Sequence, residues 1–161
     1  MQAPKNTDAE EAVICCCLMD NSVYDSISAT VNAKDFYSYS NAIMFEAIAE
    51  LANKGEGFSE IELFELLTQQ GIAENAGGIE NIMRIQKKVD TPLQVQNYAK
   101  IVREKSRLRK IIRASKQCME SAEEDQDADE IIAEMEKQLT DLMHNGADQD
   151  CSISSAAQSL V

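Results

Sequence analysis

Three cysteines stand in a row in Ile14-Cys15-Cys16-Cys17-Leu18, and they are the residues of this chain whose type and spacing first suggest chemistry. Successive side chains on a helix diverge by about 100°, so three adjacent thiolates cannot converge on one tetrahedral ion as a Cys-x-x-Cys pair can. Cys118 and Cys151 are solitary. The expected fate of the triplet is buried, unliganded packing. Cys16 and Cys17 continue the inward stripe of Ala9, Ala12 and Val13, and Cys15 falls nearer the side that carries Asp8 and Glu11.

Other catalytic apparatus is missing from the pattern. No Gly-x-x-x-x-Gly-Lys-Ser/Thr stretch cradles a phosphate, and Gly77-Gly78 is followed by Ile79 and Glu80. His144 is the only histidine, and its expected role is to partner the dipole of a helix C-terminus. Glu123-Glu124 falls in an acidic, solvated turn where nothing would separate two carboxyl pKa values. The chain is therefore expected to hold no catalytic, cofactor-binding or metal-binding residue and to be no enzyme by itself.

The elements needed to position anything are helical. Two prolines, six glycines and no tryptophan, amid abundant Ala, Glu, Ile and Leu, predict an all-α chain. No apolar run approaches the roughly 18 residues of a membrane span, and a cytoplasmic protein without membrane contact is expected. The 161 residues suit one domain with an appendage. With a net charge of -13, the natural partner is protein, and nucleic-acid contact is expected to be weak or absent.

Thr7-Asp8-Ala9-Glu10 reads as a capping box opening a helix over about 7–20, apolar on nearly every side from Ala12 to Met19. A short helix over 23–29 and an aromatic turn at 34–40 should follow. A third helix over 40–53 carries Ile43, Met44, Ala47, Ile48 and Leu51 inward. Ser59 caps a fourth, with Ile61, Phe64, Leu67 and Leu63 inward, and Gly77-Gly78 opens a fifth with Ile79, Ile82, Met83 and Ile85. From Pro92 to Glu120 one helix of about 40 Å is predicted, longer than the bundle before it is wide. After the acidic break at 123–129 another helix over 128–143 folds back on it. The expected organisation is a globular head of five to six helices over 1–98, a helical hairpin over 99–145, and a linker with the start of a further helix over 146–161.

The hairpin has a seam: Leu108, Ile111, Ile112, Ser115 and Cys118 on one arm, and Ile131, Ile132, Met135, Leu139 and Leu142 on the other. One hairpin cannot cover that much apolar surface, so these residues are expected to form a protein–protein interface. Eight of the fifteen positive charges lie between Lys100 and Lys116, and twelve acids lie between residues 120 and 150. Complementary pairing of the arms is favoured over a DNA-facing strip, since the nearby acids repel phosphate and no aromatics are interleaved. In the tail, Ile153, Ala156, Ala157, Leu160 and Val161 fit a helical stripe capped by Ser152, which must either dock on another surface or be the start of something longer.

The succession "TDAEEAVICCCLMDN", "DFYSYSNAIMFEAIAELANKGE", "AGGIENI" and "DTPLQVQNYAKIVREKSRLRKIIRA" resembles the N-terminal domain of DnaB-family replicative DNA helicases of bacteria and phages, over about residues 4–145. The resemblance implies a helical head followed by a hairpin, with the domains pairing through hairpins into dimers, a trimer of dimers, and a hexameric collar. It implies primase as a partner, along with helicase loaders or inhibitors. The stripe from Ile153 to Val161 falls where the family places its linker helix, which docks on a neighbouring motor. ATP and Mg would belong to that motor, whose nucleotide-binding loop does not occur in this chain. The sequence departs from the pattern where Cys15 and Cys16 replace glycines, Cys17 replaces a leucine-like residue, and Gly57-Phe58-Ser59 replaces a common Pro-Ile-Asp. A standalone relative that binds and regulates a helicase or primase is the alternative reading. A helicase-interaction domain of a primase is a third.

Overall fold

The computed structural model describes the backbone of residues 2–158 and the side chains of residues 2–144. Every regular element among the described residues is helical: α1 (Thr7–Met19), α2 (Val23–Ile27), α3 (Tyr39–Asn53), α4 (Glu60–Gln69), α5 (Gly78–Ile85), α6 (Val95–Glu123) and α7 (Ala128–Gln158). The all-α architecture expected from composition is the one observed. The chain divides into two compact units, Met1–Ser106 and Arg107–Val161, and α6 supplies residues to both.

α1 is the centre of the first unit. Every residue from Ala12 to Leu18 is buried, as a helix apolar on all sides requires. Its start differs from the expected capping box. Asn6, not Thr7, is the cap, its side-chain oxygen accepting from the Ala9 N–H at 2.9 Å. That one-residue shift releases Glu10 from a capping role and turns it inward, where it is 1% exposed. Its carboxylate accepts the backbone N–H groups of Tyr37 (2.7 Å) and Ser38 (3.2 Å) and the side-chain amide of Asn41 (3.2 Å). The aromatic turn is thereby tied to α1. Phe36 completes the attachment by stacking on Phe45 of α3 at 4.7 Å between ring centres.

α3 buries Ile43, Met44, Ala47 and Ile48 as expected, with Leu51 half-buried at its end. Ser59 caps α4, and Glu62 returns its carboxylate to the Ser59 N–H at 2.7 Å and to the Ser59 hydroxyl. The inward face of α4 is a correction. Leu63, Leu66 and Leu67 are buried, whereas Ile61 is 64% exposed and Phe64 is half-buried. The stretch Ile61-Glu62-Leu63-Phe64-Glu65-Leu66-Leu67 holds two overlapping series, Ile61, Phe64 and Leu67 at i, i+3 and i+6 and Leu63, Leu66 and Leu67 at i, i+3 and i+4, and the one carrying three leucines faces the core.

Gly77 and Gly78 take left-handed φ values of 89° and 71°, which a glycine adopts without penalty, and so open α5 as expected. Only Ile82 and Ile85 are buried there; Ile79 and Met83 lie outward, against expectation. Ile79 lies in the first turn of this eight-residue helix, and the core contacts fall on its C-terminal half.

Pro92–Gln94 form a 3₁₀ turn before α6, so the long helix begins three residues later than predicted and continues to Glu123. Val95, Ala99, Val102 and Ser106, spaced by four, three and four, are its buried residues. The Ser106 hydroxyl donates to Asp35 Oδ1 at 2.8 Å, while Asp35 Oδ2 accepts the Asn32 N–H at 3.0 Å. Both side chains are buried, so this hydrogen bond stands in for water that neither can reach.

α7 does not end near residue 143, where the sequence predicts its end. The helix runs on to Gln158 and passes Ser152 without a cap. One glycine, Gly146, costs only about 1 kcal/mol inside a helix, and stopping there would require a second nucleation. His144 therefore lies within a helix, not at its C-terminus. Among the described residues no helix is long and apolar enough to cross a membrane.

Candidate functional site

The three cysteines of α1 are each fully buried. Cys15, expected nearer the polar side, is instead covered by the segment after α5, and its thiol donates to the Gln86 carbonyl at 3.2 Å. Burial, reinforced by the neighbouring Cys15, pushes the Cys16 thiol up to about 11. Cys17 is driven higher still, again chiefly by burial. A thiolate is the reactive form, so both are expected to react slowly at neutral pH. In folded protein at pH 8, Cys118, which is half-buried, should react with a thiol reagent well before Cys15, Cys16 or Cys17. Counting labelled sites by peptide mass spectrometry checks this, and prompt labelling of Cys16 or Cys17 would contradict it. Among the described residues no group of three or more His, Cys, Asp or Glu side chains is arranged to hold a metal.

Charged groups at the edge of α1 are structural partners. Arg84 of α5 holds Glu11 through two hydrogen bonds, the shorter 2.6 Å, and Lys88 reaches Asp8 at 2.7 Å and Glu11 at 3.1 Å. The Arg84 hydrogen bond keeps the Glu11 carboxyl below its usual range, and the Lys88 hydrogen bond does the same for Asp8. His144 and the Glu123-Glu124 pair are exposed. The sequence pattern had no means of showing Glu10, whose three hydrogen-bond donors come from residues 27 to 31 positions away.

The second unit carries the predicted seam. From α6, Ile111, Ser115 and Cys118, and from α7, Met135, Leu139 and Leu142, line one apolar cleft of about 70 Å³. Residues 124–127 reverse the chain, with Asp125 in the left-handed region at φ 57°. Paired positions running oppositely along the two helices make the hairpin antiparallel; Gln117 accepts from Gln138 at 3.2 Å across it. Leu108, Ile112, Ile131 and Ile132 do not line the cleft. Folding back leaves the seam far from covered: Ile111 is 45% exposed, Ile132 53% and Leu139 55%. The exposed apolar side chains thus repeat along one hairpin and are not scattered singly over the surface. The side chains of Ile153, Ala156 and Ala157 lie outside those described, and Leu160 and Val161 lie outside the described residues.

An all-helical head followed in sequence by a helical hairpin with an apolar, half-exposed seam defines the class, an all-α domain of head-plus-hairpin type. Residues 2–104 match the family model of the DnaB-like helicase N terminal domain, and the chain belongs to that family. It is 31% identical over 121 residues to the replicative DNA helicase DnaB of Buchnera aphidicola, covering 75% of this chain and 26% of that protein. It is 29% identical over 140 residues to the replicative DNA helicase DnaC of Bacillus subtilis, covering 86% of this chain and 31% of that one. The chain thus spans about a quarter to a third of the curated relatives it matches. The crystal structure of the N-terminal domain of DnaB helicase from Mycobacterium tuberculosis superposes with a TM-score of 0.81 at 23% identity, covering 87% of this chain and 99% of that one. That likeness is one of fold, and it covers more of the chain than the family match over residues 2–104.

Proposed function

We propose that this chain serves as the N-terminal collar domain of a hexameric replicative DNA helicase, joining subunits through the hairpin seam and offering docking surfaces to primase and to loader or inhibitor proteins. The observation that carries the reading is the seam itself: an apolar cleft built from both helices, with Ile111, Ile132 and Leu139 left about half exposed in a member of this family. Burying those side chains against a second copy contributes about 25 cal/mol for each Å² of apolar surface removed from water. ATP hydrolysis, with its Mg, would be the work of a motor domain outside these residues, as would movement along DNA. Residues 153–161 would serve as the linker helix that docks on a neighbouring motor, and the boundaries 98 and 145 would mark head, hairpin and linker. In that role the protein would work in the cytoplasm.

Self-association is the property the purified chain can show. Multi-angle light scattering at about 100 µM, well above the range of weak transient contacts, is expected to give dimers or larger multiples of 17.8 kDa. A strict monomer at that concentration removes the collar reading.

A further inference from the structure

The outward face of α4 adjoins a feature that the hairpin seam does not use. Between α4 and α5 lies an open groove of about 620 Å³, with Phe64 and Thr68 on one wall, Ile79 and Glu80 on the other, and Ala73 and Glu74 from the connecting turn. Its apolar walls exist because α4 turns its leucines inward and leaves Phe64 only half-buried, and because α5 leaves Ile79 37% exposed. Its charge is of one sign. Residues 46–80 contain Glu46, Glu50, Glu56, Glu60, Glu62, Glu65, Glu74 and Glu80 against the single Lys54. Glu74 and Glu80 are exposed on the groove itself.

We propose that this groove docks a basic amphipathic helix of a partner protein, with apolar side chains between Phe64 and Ile79 and Lys or Arg residues against Glu74 and Glu80. The proposal deepens the docking role argued above and rests on it, but it uses none of the seam residues. The occupant's chemistry follows from complementarity: an acidic rim selects cations and repels phosphate, which excludes nucleic acid. Its shape follows from the walls, since a groove between two helices offers side-chain slots and no open sheet edge for strand pairing.

The test uses the full chain and a synthetic peptide of about 18 residues with Leu at i, i+3, i+4 and i+7 and Lys elsewhere, compared with a scrambled peptide of the same composition. Amide shift mapping should concentrate on residues 61–80, and the scrambled peptide should bind more weakly. Glu74→Lys with Glu80→Lys is expected to weaken binding at least about tenfold. Ile79→Asp is the decisive variant. It adds a negative charge at the start of α5, where a helix tolerates one, yet removes an apolar wall. The groove predicts weaker binding; tighter or unchanged binding would mean diffuse attraction and would sink the proposal. Shifts as strong at the acids of 120–130 as at the groove, or no binding at all, would also sink it. Light scattering on the same samples separates the two readings. Groove variants should lose the peptide while keeping their association state, whereas loss of both assigns the groove to self-association and overturns the partner helix.

Discussion

Replacing Glu10 with Ala is expected to destabilise the first unit by about 3 kcal/mol, a fall in thermal midpoint of roughly 12–24 °C for a domain of this size. The reason is an unequal exchange. The carboxylate is buried and accepts from the Tyr37 and Ser38 N–H groups and from the Asn41 amide. Alanine leaves the Asn41 amide buried without its acceptor and strips the Tyr37 and Ser38 N–H groups of theirs at the edge of the core, so the unmet donors carry a desolvation cost. The change also frees the turn that carries Phe36 onto Phe45 and the Ser38 cap of α3. Glu11→Ala is the control. Its partner Arg84 is 55% exposed, so the ion pair is screened and its loss should cost only some tenths of a kcal/mol. Thermal unfolding followed by circular dichroism measures both. A Glu10→Ala shift no larger than that of Glu11→Ala would show that the buried carboxylate does not organise the turn.

The second large effect falls on association. Ile111→Asp combined with Ile132→Asp should convert the associated chain to monomer at about 100 µM, a weakening of more than roughly a hundredfold. Both side chains are about half exposed within one chain, so an aspartate there finds water and the hairpin tolerates it. At an interface the same aspartates would be buried without a partner, which costs several kcal/mol. Circular dichroism should therefore keep its helical signal while light scattering falls to the monomer mass. Association that survives the double change would place the contact surface elsewhere on the chain.

Periodicity made much of this architecture readable. The position and apolar character of α1, the inward stripe of α3, the Ser59 cap and the turn back at 124–127 all depend on residues within a few positions of one another. The errors share a different cause. α4 offered two stripes one residue apart, and only the partners across the core could choose between them. The Thr7–Glu10 pattern was a sound local capping signal, but the chain used Asn6 and gave Glu10 to residues about thirty positions away. Cys15 lies on the helix face nearest Asp8 and Glu11, yet it is buried because the segment after α5 crosses over it. Ile79 and Met83 fitted an inward stripe that an eight-residue helix did not need.

Taken alone, then, the sequence determined the all-helical class, the buried placement of Cys16 and Cys17, and the family, because composition, spacing and succession of motifs are properties of the chain itself. Tertiary structure decided the rotation of α4, the inward turn of Glu10, the buried Asp35–Ser106 bond and the open α4–α5 groove. These depend on which distant surfaces meet. A side chain's burial and hydrogen-bond partners are set by packing across the core, and helical spacing only narrows the choices that packing makes.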